Sequence, residues 1–250
     1  MCTISFFHKH NGYVIGMNRD ERLARPTALP PRITGAGTME AVYPRAEEGG
    51  TWIAANAQGI SFALLNRDAA ARHTAKLRSR GEVIPALLET EKLAEAAAQI
   101  SSMDLRGIHP FRLAGFFPRE QAIAQWNWDA EQLQLFHLPW RARHWFSSGI
   151  SDELAREVRG LTCMLASRKQ NAGTLEWLRE LHASHIPARG SFSICVHRPD
   201  AASVSYTEIS YADGDLTMRY RAGHPCAATS RFDTEHILRV PAVPALAAAS

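Results

Sequence analysis

The first 26 residues, MCTISFFHKHNGYVIGMNRDERLARP (1–26), decide the prediction of the fold. Two apolar or β-branched runs, Thr3 to Lys9 and Tyr13 to Asn18, flank the turn residues His10-Asn11-Gly12. An Asn-Gly pair favours a hairpin turn with positive φ, so the chain is predicted to begin with a β-hairpin. Cys2 then stands at the start of the first strand, and the polar cluster Asn18-Arg19-Asp20-Glu21 stands at the end of the second.

The composition is that of a globular protein. Of 250 residues, 46% are apolar and 21% are charged, which is enough apolar material for a sizeable core. The formal charge is +3, and the basic residues are scattered among acidic ones, so no nucleic-acid surface is predicted. No apolar run is long enough for a secretory signal or a membrane span, which predicts a cytoplasmic protein without a transmembrane segment.

The cysteines give no sign of a metal site. Cys2, Cys163, Cys195 and Cys226 show neither a CxxC pair nor Cys/His spacing typical of zinc ligands. In a reducing compartment all four are expected to be free thiols. The sequence therefore predicts no metal ligands and no cofactor.

The rest of the chain alternates between strand-rich and helix-rich segments. Residues 25–50 contain several Pro and Gly residues and are predicted to form an irregular loop. Strands are predicted over 51–56, 60–66, 111–117, 121–128, 132–138, 192–197, 203–210 and 215–221, and helices at two places within 80–103, from Ser151, and over 175–184. This order favours an α+β layered fold with largely antiparallel sheets. We assign 1–235 to one domain and 236–250 to an Ala- and Pro-rich C-terminal tail.

Cys2 has two interpretations. A free cysteine is often a small buried apolar residue at the start of a strand. If Met1 is removed, however, the thiol becomes a nucleophile whose own α-amino group, with a reference pKa of about 7.7 to 8, can accept its proton. The hairpin brings Asn18 to Asp20 near Cys2, where a carboxylate could orient the amine and an Arg could either bind an acidic substrate or balance the carboxylate.

Three segments of the chain carry a resemblance to a known family. MCTISFF, MNRDERLARP and GGTWIAANAQGISFALLNR resemble the NRDE family, which includes proteins of the transport and Golgi organisation type. The resemblance is dense through about residue 67 and returns at ARGSFSICV (188–196). It implies an N-terminal-nucleophile hydrolase fold, a four-layer αββα sandwich of two antiparallel sheets between helix layers.

The same segments are also similar to the choloylglycine hydrolase and penicillin acylase group, which cleaves amides with an N-terminal Cys. That similarity implies that Asp20 lies near the amine of Cys2, that Asn66 is an oxyanion donor and that Arg189 is a late catalytic Arg. The group carries an Arg two residues before its Asn-x-Asp equivalent of Asp20, but here that neighbourhood reads Gly16-Met17-Asn18 and the nearby Arg is Arg19. Ser147-Ser148 stands where a second oxyanion Asn is expected. The predicted catalytic residues are Cys2, Asn18, Arg19, Asp20, Asn66 and Arg189, and the predicted substrate-binding residues are Glu21, Trp52 and Ser148.

Two functions follow from these residues and the resemblance. One is a cysteine amidohydrolase or acyltransferase acting on a small amide or acyl compound. The alternative is a non-catalytic protein that binds and traffics haem or a lipid or acyl-coenzyme A, functions to which members of the NRDE family have been linked. Four tryptophans either pack the core or line an apolar ligand cleft: Trp126, Trp128, Trp140 and Trp145. Trp52 after Gly49-Gly50 is expected to anchor the core or to contact substrate.

Overall fold

The computed structural model describes residues 2–67, 78–227 and 231–241. The strands are β1 (Cys2–Lys9), β2 (Gly12–Arg22), β3 (Leu29–Thr34), β4 (Ala41–Arg45), β5 (Ile53–Asn56), β6 (Ser61–Asn66), β7 (Phe111–Phe117), β8 (Ala122–Trp128), β9 (Leu133–Pro139), β10 (Arg143–Ser147), β11 (Ala201–Ala212), β12 (Asp215–Ala222) and β13 (Thr234–Arg239). The helices are α1 (Leu93–Ser102), α2 (Asp152–Ala166) and α3 (Leu175–His182), with short 3₁₀ turns at Gly37–Met39, Arg80–Glu82 and Pro85–Leu87.

Two antiparallel sheets form the centre of the molecule. The first sheet has the order β10-β1-β2-β11-β12-β13, and the second has the order β3-β4-β5-β6-β7-β8-β9. Side chains from both sheets, such as Ile4, Ile15 and Leu65, meet in one buried core. Period-two alternation sends the remaining strand residues to the outer faces.

Helices cover both outer faces. Trp177 and Leu178 of α3 and Ala155 of α2 pack on the first sheet, and Ile100 of α1 packs with Phe111 on the second. The layers are therefore α1, second sheet, first sheet, and α2 with α3. This arrangement confirms the predicted four-layer αββα sandwich.

The predicted opening hairpin is confirmed, although its turn differs from the prediction. Cys2 lies opposite Arg19 and Lys9 lies opposite Gly12 in the β1–β2 register. Neither Asn11 nor Gly12 has a positive φ. Gly12 is required for another reason, because a Cβ atom at this position would lie 1.8 Å from the carbonyl oxygen of Tyr211.

Three other predictions are wrong. Residues 25–50 are not one loop, because they contain β3 and β4, and Pro30 and Pro31 are tolerated in β3 because it is an edge strand. The segment 80–103 holds one α-helix preceded by two 3₁₀ turns instead of two helices. Residues 192–197 are irregular, since the Ser193 hydroxyl donates to the backbone oxygens of Gly190 and Cys195 where strand pairing was expected.

The C-terminal part of the described chain extends the first sheet. β13 pairs with β12 over Thr234 to Arg239, so the strand crosses the predicted boundary between domain and tail at residue 236. Val240 is also buried in the core between the sheets. Residues 242–250 of the predicted tail lie outside the described residues. Among the helices described here, none is long and apolar enough to cross a membrane.

Candidate functional site

Cys2 occupies the first position of a central strand. It lies between β10 and β2, opposite Ser147 on one side and Arg19 on the other. Its backbone N–H donates to the Ser147 hydroxyl oxygen at 2.9 Å, and the residue is only 5% exposed. Its side chain belongs to the core between the two sheets, together with Ile4.

The environment of Cys2 keeps its thiol protonated. Burial raises the pKa of the Cys2 thiol, although the backbone N–H of Asp20 and the charge of Arg19 oppose the shift. A protonated thiol is a weak nucleophile. Any nucleophilic role for Cys2 therefore needs a base close to its sulfur.

Asp20 is buried beside Cys2 and paired with a buried arginine. Its Oδ1 accepts a hydrogen bond from the Ser203 hydroxyl at 2.6 Å, and its Oδ2 lies 3.7 Å from Nη2 of Arg159. Both side chains of the Asp20–Arg159 pair are fully inaccessible to solvent. Burial raises the pKa of Asp20, and the charge of Arg159 and the Ser203 hydrogen bond act against that rise.

Arg159 connects α2 to β1, the strand that carries Cys2, and to the neighbouring strand β10. Its Nη1 donates to the Thr3 hydroxyl at 2.9 Å and to the Ser147 carbonyl oxygen at 3.3 Å, and its Nη2 donates to the Ser191 carbonyl oxygen at 3.4 Å. Sequence reasoning missed this residue. The available signal was helical spacing, because Arg159 falls on the same buried face of α2 as Ala155, Thr162 and Cys163.

Arg19, Glu21 and Trp52 form a second group of predicted site residues that the structure brings together. The Arg19 guanidinium lies 4.2 Å from the centroid of a Trp52 ring, and its Nη2 pairs with Glu21 at 3.2 Å. Although burial opposes it, the Arg22 backbone N–H and the charges of Arg19 and Arg25 lower the pKa of Glu21. The buried indole N–H of Trp52 has no hydrogen-bond partner among the described residues.

Other predicted site residues point elsewhere. The side chain of Asn18 lies on the face of β2 opposite to that of its neighbour Arg19. There its amide donates to the backbone oxygens of His182 and Ile194 at 2.8 and 2.9 Å. Arg189 is exposed, and its Nη2 lies 3.1 Å from Nδ1 of His197. The structure gives both residues contacts away from Cys2.

Asn66 lies at the end of a strand, and Ser148 lies in the turn before α2. Asn66 ends β6, and alternation along that strand places it on the face of Phe62 and Leu64, which pack toward α1. The Ser148 hydroxyl oxygen accepts from the backbone N–H groups of Ile150 and Ser151, so it orders the turn before α2. Its neighbour Ser147 is the serine that contacts Cys2.

The tryptophan group belongs mainly to the core, as one of its two interpretations predicted. Trp126 and Trp128 are buried between the second sheet and α1, and Trp145 is buried between the sheets. Trp140 is partly buried and borders a cavity of about 200 Å³ at the β1–β2 turn, the end of the hairpin opposite to Cys2. A second cavity, of about 180 Å³, lies between α2 and α3. Neither of these two cavities is lined by Cys2.

The prediction of no metal ligands rested on the spacing of cysteines along the sequence, whereas the fold places residues that could ligate a metal side by side. The fold brings His185, Cys195, His197 and Cys226 together, with one possible ligand atom from each residue within 4.8 Å of the others. Burial and then the charge of Arg189 lower the pKa of His197 to about 4, and burial raises the pKa of Cys195 to about 12. No local sequence pattern indicates this cluster, because its members come from two loops: His185, Cys195 and His197 precede β11, and Cys226 follows β12.

Comparisons with known proteins agree with this fold. Penicillin V acylase from Agrobacterium tumefaciens superposes with a TM-score of 0.51 at 11% identity, over 89% of this chain and 83% of that chain. The C2A mutant of conjugated bile acid hydrolase from Clostridium perfringens gives a TM-score of 0.50 at 9% identity, over 96% and 92%. At such identities the likeness shows the N-terminal-nucleophile hydrolase fold alone.

The sequence comparisons identify the family. No curated protein matches the chain significantly. The profile of the family described as Transport and Golgi organisation 2 matches residues 1–180, which confirms the resemblance noted at the N-terminus. The chain belongs to the Transport and Golgi organisation 2 family.

Proposed function

We propose that this protein is a cysteine amidohydrolase or acyltransferase in which Cys2 is the nucleophile and the substrate is a small amide or acyl compound. The observation that carries the proposal is the position of Cys2, whose nitrogen contacts the Ser147 hydroxyl next to the buried Asp20–Arg159 pair. This arrangement holds both the sulfur and the nitrogen of one residue in place. A nucleophile with a built-in base needs both groups to be ordered.

The proposed reaction starts with removal of Met1, which converts the Cys2 backbone nitrogen into an α-amino group. The neutral amine accepts the thiol proton, and the sulfur attacks the substrate carbonyl carbon to form a tetrahedral oxyanion. When the oxyanion collapses, the C–N bond breaks and the leaving amine takes the proton from the Cys2 ammonium. Water then hydrolyses the thioester, or an amine acceptor takes the acyl group.

Asp20, Arg159 and Ser147 are positioning residues in this scheme. Asp20 presents a negative charge close to the Cys2 amine, and Arg159 fixes that carboxylate while also holding the strand ends through Thr3 and Ser147. The Ser147 hydroxyl oxygen remains the hydrogen-bond acceptor of the nitrogen after processing. These contacts favour a defined orientation of the amine toward the sulfur.

Arg19 and Trp52 are the proposed groups for the developing oxyanion. Arg19 lies opposite Cys2 in the strand register, and its charge acts to lower the pKa of the thiol. The Trp52 ring contacts the Arg19 guanidinium, and its indole N–H has no hydrogen-bond partner within the described part of the chain. A cation and a free donor near the nucleophile suit the stabilisation of negative charge. The implied role of Asn66 as oxyanion donor is not needed for this scheme.

The experiment is a covalent-trapping and turnover assay on the full chain. Wild-type protein with its N-terminus determined is incubated with fluorogenic N-acyl amides of increasing acyl length, and Cys2 acylation is mapped by mass spectrometry. We expect Cys2→Ala to lose turnover by at least about 1,000-fold and to lose the adduct. Cys163→Ala, which changes a buried thiol on α2, is the control and should retain both. Equal turnover by the Cys2→Ala variant would contradict the proposal.

A second candidate, binding of an acyl chain without turnover, is favoured by the cavity between α2 and α3. That cavity has a volume of about 180 Å³ and is lined by apolar side chains that include Leu165, Trp177, Leu181 and Ile186. A fluorescent fatty acid titrated into wild type and Leu181→Asp tests it, and equal affinity of the two proteins would contradict it. Haem binding stays a prediction from the family resemblance.

A further inference from the structure

Four metal-ligating side chains converge on one point outside the proposed catalytic residues. His185, Cys195 and His197 come from the segment between α3 and β11, and Cys226 follows β12. Nε2 of His197 lies 3.5 Å from the Cys195 sulfur and 3.4 Å from the Cys226 sulfur. The ring centroids of His185 and His197 are 5.0 Å apart. One possible ligand atom from each of the four residues lies within 4.8 Å of the other three.

The side chains of this cluster leave hydrogen-bonding capacity unused. Nε2 of His185 is shielded from solvent and has no hydrogen-bond partner among the residues that the structure describes. Buried polar atoms usually have at least one partner. The two thiols meanwhile share the single Nε2 of His197. An ion at the centre would give all four groups a partner.

The donor set selects the kind of ion. Two thiolates and two imidazoles in tetrahedral geometry are typical of Zn²⁺, with bonds of about 2.3 Å to sulfur and about 2.0 Å to nitrogen. Ligand atoms on such a tetrahedron are separated by roughly 3.3 to 3.8 Å. The nitrogen–sulfur distances of 3.4 and 3.5 Å already match that separation.

We propose that His185, Cys195, His197 and Cys226 bind one Zn²⁺ ion in a tetrahedral site. Binding releases the two thiol protons, so two thiolates neutralise the charge of the ion. His197 binds through Nε2, and its ring proton moves to Nδ1. Nδ1 then no longer accepts a hydrogen bond from Arg189, whose exposed side chain turns into solvent.

The proposed ion has a structural role next to the Cys2 site. The backbone N–H of Val196, between two of the ligands, donates to the Ser203 hydroxyl oxygen at 2.8 Å, and that hydroxyl donates to Asp20. His224, near Cys226, contacts the Ser203 carbonyl oxygen at 2.9 Å. The ion would hold both loops in contact with Ser203 and so fix the position of the hydroxyl that donates to Asp20. Zn²⁺ binding does not depend on Cys2 being a nucleophile.

Cobalt substitution tests the site on the full chain. Protein kept reduced and stripped with a chelator is titrated with Co²⁺ and then with Zn²⁺ while the visible and near-ultraviolet spectrum is recorded. We expect tetrahedral Co²⁺ bands and thiolate charge-transfer absorption that saturate at one equivalent and disappear with one equivalent of Zn²⁺. Cys226→Ser should weaken binding by at least about 100-fold, and Cys163→Ser, which removes a thiol outside the cluster, should bind like wild type.

A second measurement needs no variant and therefore does not depend on the folding of a mutant. Wild-type protein is alkylated with N-ethylmaleimide in the presence and absence of Zn²⁺, and the modified cysteines are mapped. We expect Zn²⁺ to protect Cys195 and Cys226 and to leave Cys163 unchanged. Non-saturable Co²⁺ binding, absence of charge-transfer absorption, or equal alkylation with and without Zn²⁺ would overturn the proposal.

Discussion

Two polar clusters, one fully buried and one partly buried, lie on either side of Ser203, and their charges are balanced in different ways. Around Cys2, the carboxylate of Asp20 is matched by the guanidinium of Arg159, so the chain itself supplies both charges. In the cluster of His185, Cys195, His197 and Cys226, the groups are thiols and imidazoles that face one another, and one nitrogen has no partner among the described residues. Asp20 Oδ2 and Arg159 Nε also have no hydrogen-bond partner among the described residues, so the clusters differ in charge and not in hydrogen bonding. The protein balances the charges of the first cluster, and an ion balances those of the second in our proposal.

The largest expected effect comes from removing the internal cation. Arg159→Met leaves Asp20 buried without its counter-charge, and we expect the free energy of unfolding to fall by about 3 to 5 kcal/mol. Arg156→Met, on the exposed face of the same helix, is the control and should change it by less than about 0.5 kcal/mol. Urea unfolding monitored by circular dichroism measures both. A fall of similar size in the two variants would break the distinction between the matched pair and an ordinary surface arginine.

A double variant sharpens this test. Asp20→Asn removes the charge that Arg159 balances, so Asp20→Asn/Arg159→Met should be less destabilised than the sum of the two single variants. The same unfolding experiment gives the coupling free energy. If the two single-variant changes in unfolding free energy simply add, the side chains do not interact. That result would contradict the pairing inferred from the 3.7 Å separation of Asp20 and Arg159.

The second cluster should respond to an ion where the first does not. With free Zn²⁺ at 100 times its dissociation constant, the free energy of unfolding should rise by about 2.7 kcal/mol, because the ion binds the folded chain. Cys226→Ser should remove this gain, whereas Cys2→Ser should keep it. Thermal unfolding with and without Zn²⁺ measures the difference. Equal stabilisation of the Cys226→Ser variant would show that the ion binds elsewhere.

A third buried polar group, His182, makes stability depend on pH. Burial and then the charge of His144 lower the pKa of His182 to about 3, from an ordinary value of 6.5. As pH falls, the unfolded chain binds this proton first, so the stabilisation is complete above pH 6.5 and is lost as pH falls toward 3. We expect His182→Gln to reduce the slope of stability against pH by up to about 1.4 kcal/mol per pH unit. His10→Gln, in the exposed β1–β2 turn, should keep the wild-type slope, and an unchanged slope in His182→Gln would contradict the prediction.

The smallest expected effect concerns Arg189. In the structure its guanidinium contacts the ring nitrogen of His197 that must carry the proton once the ion is bound. Arg189→Ala removes this competition and should tighten Zn²⁺ binding by about fivefold, which corresponds to about 1 kcal/mol. Competition with a chromophoric chelator measures the affinity. Weaker binding by Arg189→Ala would show that Arg189 supports the ion instead of opposing it.

Local patterns predicted much of the fold. The β1–β2 hairpin and the β11–β12 hairpin follow from apolar runs around short turns, and Asp213 and Gly214 have the positive φ values that such a turn favours. Ser151 caps α2 as its position indicated, since its hydroxyl oxygen accepts from the Leu154 backbone N–H. Edge strand β3 was missed because its two prolines suppress the strand signal.

The site was only partly predictable because its contacts join distant segments. Hairpin register places Arg19 and Asp20 beside Cys2, which sequence reasoning found. The pairing of Asp20 with Arg159 depends on how α2 packs on the first sheet, which no local pattern fixes. Residues 192–197 were predicted to form a strand because Ile194, Cys195 and Val196 are apolar. They instead form a largely buried loop that brings Cys195 next to His185, His197 and Cys226.

The most direct test of the central claim combines two mass measurements on the full chain purified from cells. The intact mass shows whether Met1 is removed, and limited labelling with a thiol-directed electrophile in the presence of Zn²⁺ shows which cysteine reacts first. We predict that Met1 is absent and that Cys2 is labelled faster than Cys163, Cys195 and Cys226. Retention of Met1, or a Cys2 thiol that reacts no faster than Cys163, would contradict the role of Cys2 as nucleophile.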